Sequence, residues 1–400
     1  MPHPPQDVPA LAPTINEPLP PALTTPDLPT ANSKSIFAFW HSGIEDLPPY
    51  LLRNVVAWFR RFSPLGWSIY VLNTVPDSPL NVSKFIDTSD RSIVPAVFTD
   101  GGLGGSFAAQ HTSDLIRFPT LLKYGGVYLD VGIVQFGDLD RLWTEHIHNP
   151  ESPYDFAGFT LGSPPDGLSI PNFAFMCTPD NPLVLRAHKI LLKLWEGKTS
   201  TTGMHDHPLV RHVPLMAVPP EVATEGDQDL NAINDSTMTD YAIQIQAMGS
   251  AQRWLDTKDG WNGPQYVREK CWLYNMVDMA YVSEQLTGWN GKRAFELLSL
   301  DMPQAGEPET ADQALARKIV ERSVSESWCL KLMHGFSAKL FGGDTLGILW
   351  RKHVGSDARE GTYAAYMRSL QLSPTQHELI KPLDIPVCEP TMVDVLERYL

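Results

Sequence analysis

The chain has 400 residues, of which 43% are hydrophobic and only 19% charged, with a formal net charge of −15. That balance supports one large or two modest domains with a sizeable core and excludes a disordered chain or a coiled coil. It also argues against a broad nucleic-acid-binding face, which would gather Lys and Arg. The four cysteines, Cys177, Cys271, Cys329 and Cys388, lie far apart with no C-x-x-C pair. Neither a disulfide framework nor a structural zinc site is expected from them. No apolar run reaches the roughly 18 residues of a membrane span. The N-terminus lacks the basic and then apolar pattern of a signal segment, so the expected location is cytoplasmic.

Residues 1–33 are rich in Pro, Thr, Asp and Asn and read as a disordered, extended tail. Residues 34–355 read as one α/β domain, and residues 356–400 as a C-terminal helix and tail. Ser35 to Trp40 is a short apolar run of the kind that forms a buried strand. Pro49 to Phe62 then sets Leu51, Leu52, Val55, Val56 and Phe59 at helical spacing, and Trp67 to Leu72 reads as a second strand. Strand, helix, strand opens a parallel βαβ unit. His111 to Tyr124 reads as a helix with Leu115, Ile116, Leu121 and Leu122 on its apolar face; Pro119 should kink it or mark an irregular turn. Gly125-Gly126 ends it, and Val127 to Leu129 forms a buried strand that stops at Asp130. A strand at Phe173 to Met176 and a helix from Pro182 to Trp195 follow. Residues 196–235 read as a long loop, and Asp240 to Leu298 as helical. Trp328 to Trp350 is rich in aromatic residues and glycine, and a helix is expected near Tyr363 to Leu372. The expected class is α/β: a mixed, mostly parallel sheet with flanking helices and a helical C-terminal half.

The chemistry concentrates in His111 to Arg117 and Lys123 to Gly132. Asp114 and Arg117 are three residues apart and share one helix face. Asp130 stands at the C-terminal end of a strand, the edge where open α/β sheets bind ligands. A carboxylate there can hold a hard divalent cation, and a cation beside a diphosphate offsets charge on a departing phosphate. Arg117 offers a planar fork of donors to a phosphate or to sugar hydroxyls. The plainer reading makes Asp114 and Arg117 a surface ion pair and Asp130 a loop acid. The cluster from Gly101 to Gly105 lacks the Gly-Lys-Ser/Thr ending of a phosphate-binding loop. His205, Asp206, His207 and His212 have neither cysteine partners nor an H-E-x-x-H helix, so a loop rather than a zinc site is expected.

The run from Ser113 to Arg117, followed by Lys123 to Asp130, resembles the core signature of GT-A glycosyltransferases with a DXD motif. The resemblance is closest to the capsular-polysaccharide-synthesis-like group of bacteria and fungi. Phe39 to Gly43 and Trp328 to Gly335 resemble other segments of that group, so the likeness touches most of residues 35–350. It implies a GT-A, Rossmann-like fold and transfer of a sugar from a nucleotide-sugar donor to a small-molecule acceptor in fungal secondary metabolism. It implies Asp130 as the first Asp of the motif, a ligand of manganese or magnesium and a catalytic residue. Asp114 and Arg117 would contact the donor sugar or ribose and complete the catalytic set. Trp40, His41 and Tyr128 join them as donor-binding candidates, and His334 would be a second metal ligand. Gly132 stands where the motif has its second Asp, which removes one carboxylate from the metal and diphosphate. Fungal arginine-containing cyclodipeptide synthases, which take aminoacyl-tRNA, resemble the same scaffold. On that alternative, carboxylates bind an arginine guanidinium and a carboxylate or histidine serves as base. A binding protein on a decayed transferase scaffold is the third reading, motivated by Gly132.

Overall fold

The structure is a computed structural model that describes residues 18–105, 107–162, 169–220, 222–224, 232–304, 306–386 and 389–394. Strand β1 (Ser35–Phe39) is buried along its whole length, as its unbroken apolar run requires. Helix α1 (Pro49–Phe62) starts with proline in its first turn and buries Leu51, Val55, Trp58 and Phe62. Strand β2 (Ser68–Leu72) then pairs parallel with β1, Ser35 opposite Ser68 through Phe39 opposite Leu72. Alternate β1 side chains enter different cores: Ile36 and Ala38 pack with α1, whereas Phe37 and Phe39 pack with the helices of the other face.

Helix α2 (Ala108–Tyr124) leads into β3 (Gly126–Leu129), which pairs parallel with the free side of β1. The junction requires glycine. Gly126 has φ +93°, and a Cβ on it would lie 2.5 Å from the Ser35 carbonyl oxygen. Pro119, expected to kink α2 or mark an irregular turn, sits inside a helix of 17 residues. Next come β4 (Ile133–Gln135), β5 (Phe156–Thr160), β6 (Ala174–Cys177) and α3 (Pro182–Leu194). Helices α4 (Asp235–Tyr241) and α5 (Ile243–Gln252) precede β7 (Trp254–Asp256), β8 (Trp261–Asn262) and β9 (Cys271–Asn275). Strand β10 (Cys329–Lys331) pairs antiparallel with β4, and β11 (Met392–Val393) pairs parallel with β7.

The main sheet runs β2-β1-β3-β6-β5-β9. Only β6 is antiparallel to its neighbours, so the mixed, mostly parallel sheet expected from the sequence is present. Two segments differ from expectation. Strand β9 and the small strands β7 and β8 interrupt the stretch read as helical, because the short run Cys-Trp-Leu-Tyr-Asn is buried beside β5 rather than wound. Residues 18–33 do not continue a loose tail: Leu23 is fully buried in a turn, and the Tyr70 hydroxyl donates to the Asp27 carbonyl at 3.0 Å. Residues 1–17 lie outside the described residues. The helix expected near the C-terminus is present at Tyr363–Leu370. Asp357 is buried between Arg53 at 2.6 Å and Arg368 at 2.8 Å, which ties the segment after residue 355 to α1. No described helix is long and apolar enough to cross a membrane.

Candidate active site

Because Gly125 and Gly126 fold the chain back from α2 into β3, one face of α2 meets the C-terminal end of β3. Arg117 is the centre of what gathers there. Its Nη2 lies 2.8 Å from Asp114 Oδ1 and donates to Ser113 Oγ at 2.9 Å. Its Nε donates to the Ser113 carbonyl at 3.3 Å, and Nη1 donates to the Asn172 carbonyl. The guanidinium lies over the Tyr128 ring at 4.4 Å, with Nη1 4.0 Å from Asp130 Oδ1. Burial pulls the Arg117 pKa down, but Tyr128, Asp114 and Asp130 outweigh it and the net shift is upward. A permanent, immobile positive charge results, and only the arginine fork satisfies so many acceptors at once.

Asp114 is fixed from several sides. Asn172 Nδ2 donates to its Oδ1 at 3.0 Å and to Gln244 Oε1 at 2.9 Å. Gln244 in turn donates to the Asp114 carbonyl at 2.6 Å, and His111 Nδ1 lies 3.5 Å from Asp114 Oδ2. Asp130 is held differently. Its backbone N–H donates to the Phe173 carbonyl at 2.7 Å, and its Oδ2 accepts from Lys331 Nζ at 2.6 Å. The Asp114 and Arg117 side chains are 10% and 5% exposed, whereas that of Asp130 is 29% exposed and marks the open side of the cluster. Tyr241 stacks on Phe336 at 5.1 Å and meets Phe107 edge-on at 5.0 Å, forming an aromatic wall. Burial raises the Tyr241 phenol pKa, and the charges of Asp114 and Asp130 add to it, so the hydroxyl stays protonated.

The profile of the capsular polysaccharide synthesis protein family matches residues 13–202. The O-glycosyltransferase braB of Annulohypoxylon truncatum is 33% identical over 342 residues, which is 85% of this chain and 80% of that one. The glycosyltransferase afumC of Aspergillus fumigatus is 34% identical over 365 residues, 91% of this chain and 90% of its own. The O-glycosyltransferase PaGT of Phomopsis amygdali is 32% identical over 360 residues, 89% and 86% of the two chains. The chain belongs to this glycosyltransferase family.

In this glycosyltransferase the profile match contains Asp114, Arg117 and Asp130, and it ends well before Lys331 and His334. Register places Trp40 and His41 near the cluster without joining it. Phe37 pairs with Tyr128, so both residues leave β1 at the edge where Asp130 leaves β3. Trp40 is half-buried and His41 exposed. Tyr128 backs the site rather than facing its mouth, since its hydroxyl shares a 2.7 Å hydrogen bond with Ser113 Oγ beneath Arg117. Asp138 caps a helical turn at Arg141 N, 3.0 Å away, and Asp140 meets Lys34 at 2.6 Å and Trp67 Nε1 at 2.8 Å, so these two acids hold structure.

The residues assigned by resemblance to a divalent cation do not fit one. Asp130 Oδ2 already carries the Lys331 ammonium. His334 Nε2 lies 2.7 Å from the Tyr50 hydroxyl, and its ring is packed so tightly that a Cβ on Gly347 would stand 2.8 Å from it. Burial, reinforced by Lys331, brings the His334 pKa down to about 4. A Cβ on Gly132 would lie 3.1 Å from the Leu332 carbonyl oxygen, so a second carboxylate at that position would press on the strand ribbon. Among the described residues no group of three or more His, Cys, Asp or Glu side chains converges as a metal cage.

Four residues of the cluster escaped sequence reasoning: Asn172, Tyr241, Gln244 and Lys331. Lys331 carried a signal, because it closes a short apolar strand inside a segment that resembles the family. Its partner, though, is 201 residues away in the chain. The other three lie in segments with no motif.

Proposed function

We propose that this glycosyltransferase moves a sugar from a nucleotide-sugar donor to a hydroxyl of a small-molecule acceptor, within fungal secondary metabolism. The observation that carries the reading is the pairing of a partly exposed Asp130 with the saturated, buried Arg117 at the C-terminal edge of the sheet. Sugar hydroxyls donate to the free carboxylate oxygen of Asp130 and to Asp114 Oδ2. Arg117 contributes a fixed positive field toward the diphosphate. Its charge is already oriented by Asp114, Ser113 and Asn172, so little reorganisation accompanies the reaction. Trp40 and His41, at the same sheet edge, are candidates to meet the nucleotide base. Two of the relatives are named O-glycosyltransferases, which supports an oxygen as the accepting atom.

The test is a thermal-shift panel of UDP- and GDP-sugars on the wild type and on Asp130→Ala. One donor should raise the wild-type melting temperature and do so markedly less in the variant. No response to any donor, together with cyclic dipeptide formed from arginyl-tRNA, would replace this reading with the aminoacyl-tRNA alternative.

A further inference from the structure

We propose that Lys331 takes the place of a divalent cation at the leaving diphosphate, so that sugar transfer in this enzyme runs without a metal. The inference rests on the nucleotide-sugar reading above. Lys331 Nζ stands 2.6 Å from Asp130 Oδ2, at the carboxylate where the motif's cation would bind, and its side chain is 15% exposed. The position is set by backbone rather than by a free surface rotamer. Lys331 pairs with Ile133 in the ribbon of β10 and β4, and its Nζ lies 5.3 Å from the centre of the Phe173 ring. The Phe173 carbonyl also holds the Asp130 N–H at 2.7 Å, so one residue fixes both members of the pair.

The surroundings favour an ammonium over a metal ion. Gly132 supplies no second carboxylate, and the Leu332 carbonyl crowds the space where one would stand. His334 Nε2 is engaged with the Tyr50 hydroxyl at 2.7 Å. Within the cluster two carboxylates, Asp114 and Asp130, are matched by two cations, Arg117 and Lys331. A divalent ion on Asp130 would share that carboxylate with an ammonium, and like charges at such range repel.

The step balances without a co-reactant. The bond between the anomeric carbon and the diphosphate oxygen breaks, and its electron pair remains on that oxygen. A new bond forms from the anomeric carbon to the acceptor hydroxyl oxygen, whose proton passes to water. Lys331 donates a hydrogen bond to the departing phosphate as its negative charge grows, the role a Lewis acid fills elsewhere.

Titration calorimetry with UDP and GDP, each in EDTA and in manganese, tests this on the full chain. The wild type should bind one of the two nucleotides with affinities that agree within about threefold in the two buffers. Lys331→Met should weaken that diphosphate by ~30-fold or more, the worth of a lost charge-assisted contact. Binding of the matching nucleoside should not change, and Lys331→Arg should keep most of the affinity. If Lys331→Met does not fold, the wild-type buffer comparison and the arginine variant still decide. Wild-type binding that EDTA abolishes, or a methionine variant that binds the diphosphate like wild type, would overturn the inference. Binding of neither nucleotide in either buffer would sink the nucleotide-sugar reading itself, and this inference with it.

Discussion

Replacing Asp114 with Asn and, separately, Asp130 with Asn should separate stability from activity. Asp114 is the near counter-charge of Arg117, at 2.8 Å, and both side chains are buried. Removing its charge leaves Arg117 in the interior with, among the described residues, only the Asp130 carboxylate, at 4.0 Å, to answer it. Breaking a buried pair costs about 3–5 kcal/mol. The Asn carbonyl can still accept one hydrogen bond, so the lower end, ~3 kcal/mol, is expected. Asp130 is the more exposed carboxylate, and it gives up its pair with Lys331 at 2.6 Å and the longer approach to Arg117 at 4.0 Å. Pairs of that kind contribute about 1 kcal/mol or less. Activity should rank the other way. Asp130→Asn removes the charge at the open side of the site and should lower turnover by about 10²–10³-fold, the range seen when one preorganised electrostatic group is lost. Urea midpoints read by tryptophan fluorescence give the first quantity and donor turnover gives the second. An Asp130→Asn protein that is as destabilised as Asp114→Asn yet turns over donor normally would make Asp130 a loop acid and refute the reasoning.

Burial raises the Glu284 carboxyl from 4.5 to about 7, against the opposing Ser283 hydroxyl and backbone N–H. Between those pH values the folded state holds a proton that the unfolded state releases, so stability falls as pH rises through the window. Glu284→Gln should therefore be more stable than wild type by about 1–3 kcal/mol at pH 8 and equal to it at pH 4, as urea midpoints at the two pH values would report. Burial lowers His188, His212 and His334 to about 4, with Arg253 adding to the effect at His212 and Lys331 at His334. The folded state keeps them neutral while the unfolded chain charges near 6.5, so their contribution is present above pH 6.5 and lost as pH falls toward 4. A urea midpoint that stays flat from pH 7 to 4.5 would contradict this. Gly126→Ala should cost about 3–5 kcal/mol, since a positive φ and a backbone overlap add together. Gly260→Ala, with φ +76° and nothing within 4 Å of its Cβ, should lose only the strain, about 1–2 kcal/mol. Equal losses in denaturant melts would show that the Ser35 contact is unimportant.

The opening of the fold was legible because local and global signals agree there. The amphipathic spacing of α1 lies between two apolar runs, and each run is buried in the sheet. The site was legible where it is local. Asp114 and Arg117 fall on one turn of α2, and the glycine pair at the end of that helix announces the reversal that brings Asp130 beside them. What stayed hidden is non-local or ambiguous. Strand β9 is five residues long, too short for periodicity to separate a buried strand from a buried helical turn. Proline content made residues 18–33 read as a tail, but Leu23 fills a place in the core that only the tertiary structure creates. Nothing local in the sequence joins Lys331 to Asp130 or His334 to Tyr50, because both pairs depend on how the C-terminal half folds over the sheet edge. The Tyr50 contact also changes the reading of His334, from an open ligand to a closely packed, hydrogen-bonded ring.

Donor turnover tests the central claim most directly. The enzyme would be incubated with UDP- and GDP-sugars, and release of nucleoside diphosphate followed in wild type and in Asp130→Asn. The account predicts release from one donor by the wild type and at least about 10²-fold less by the variant at unchanged fold. Release at the wild-type rate by Asp130→Asn would contradict it.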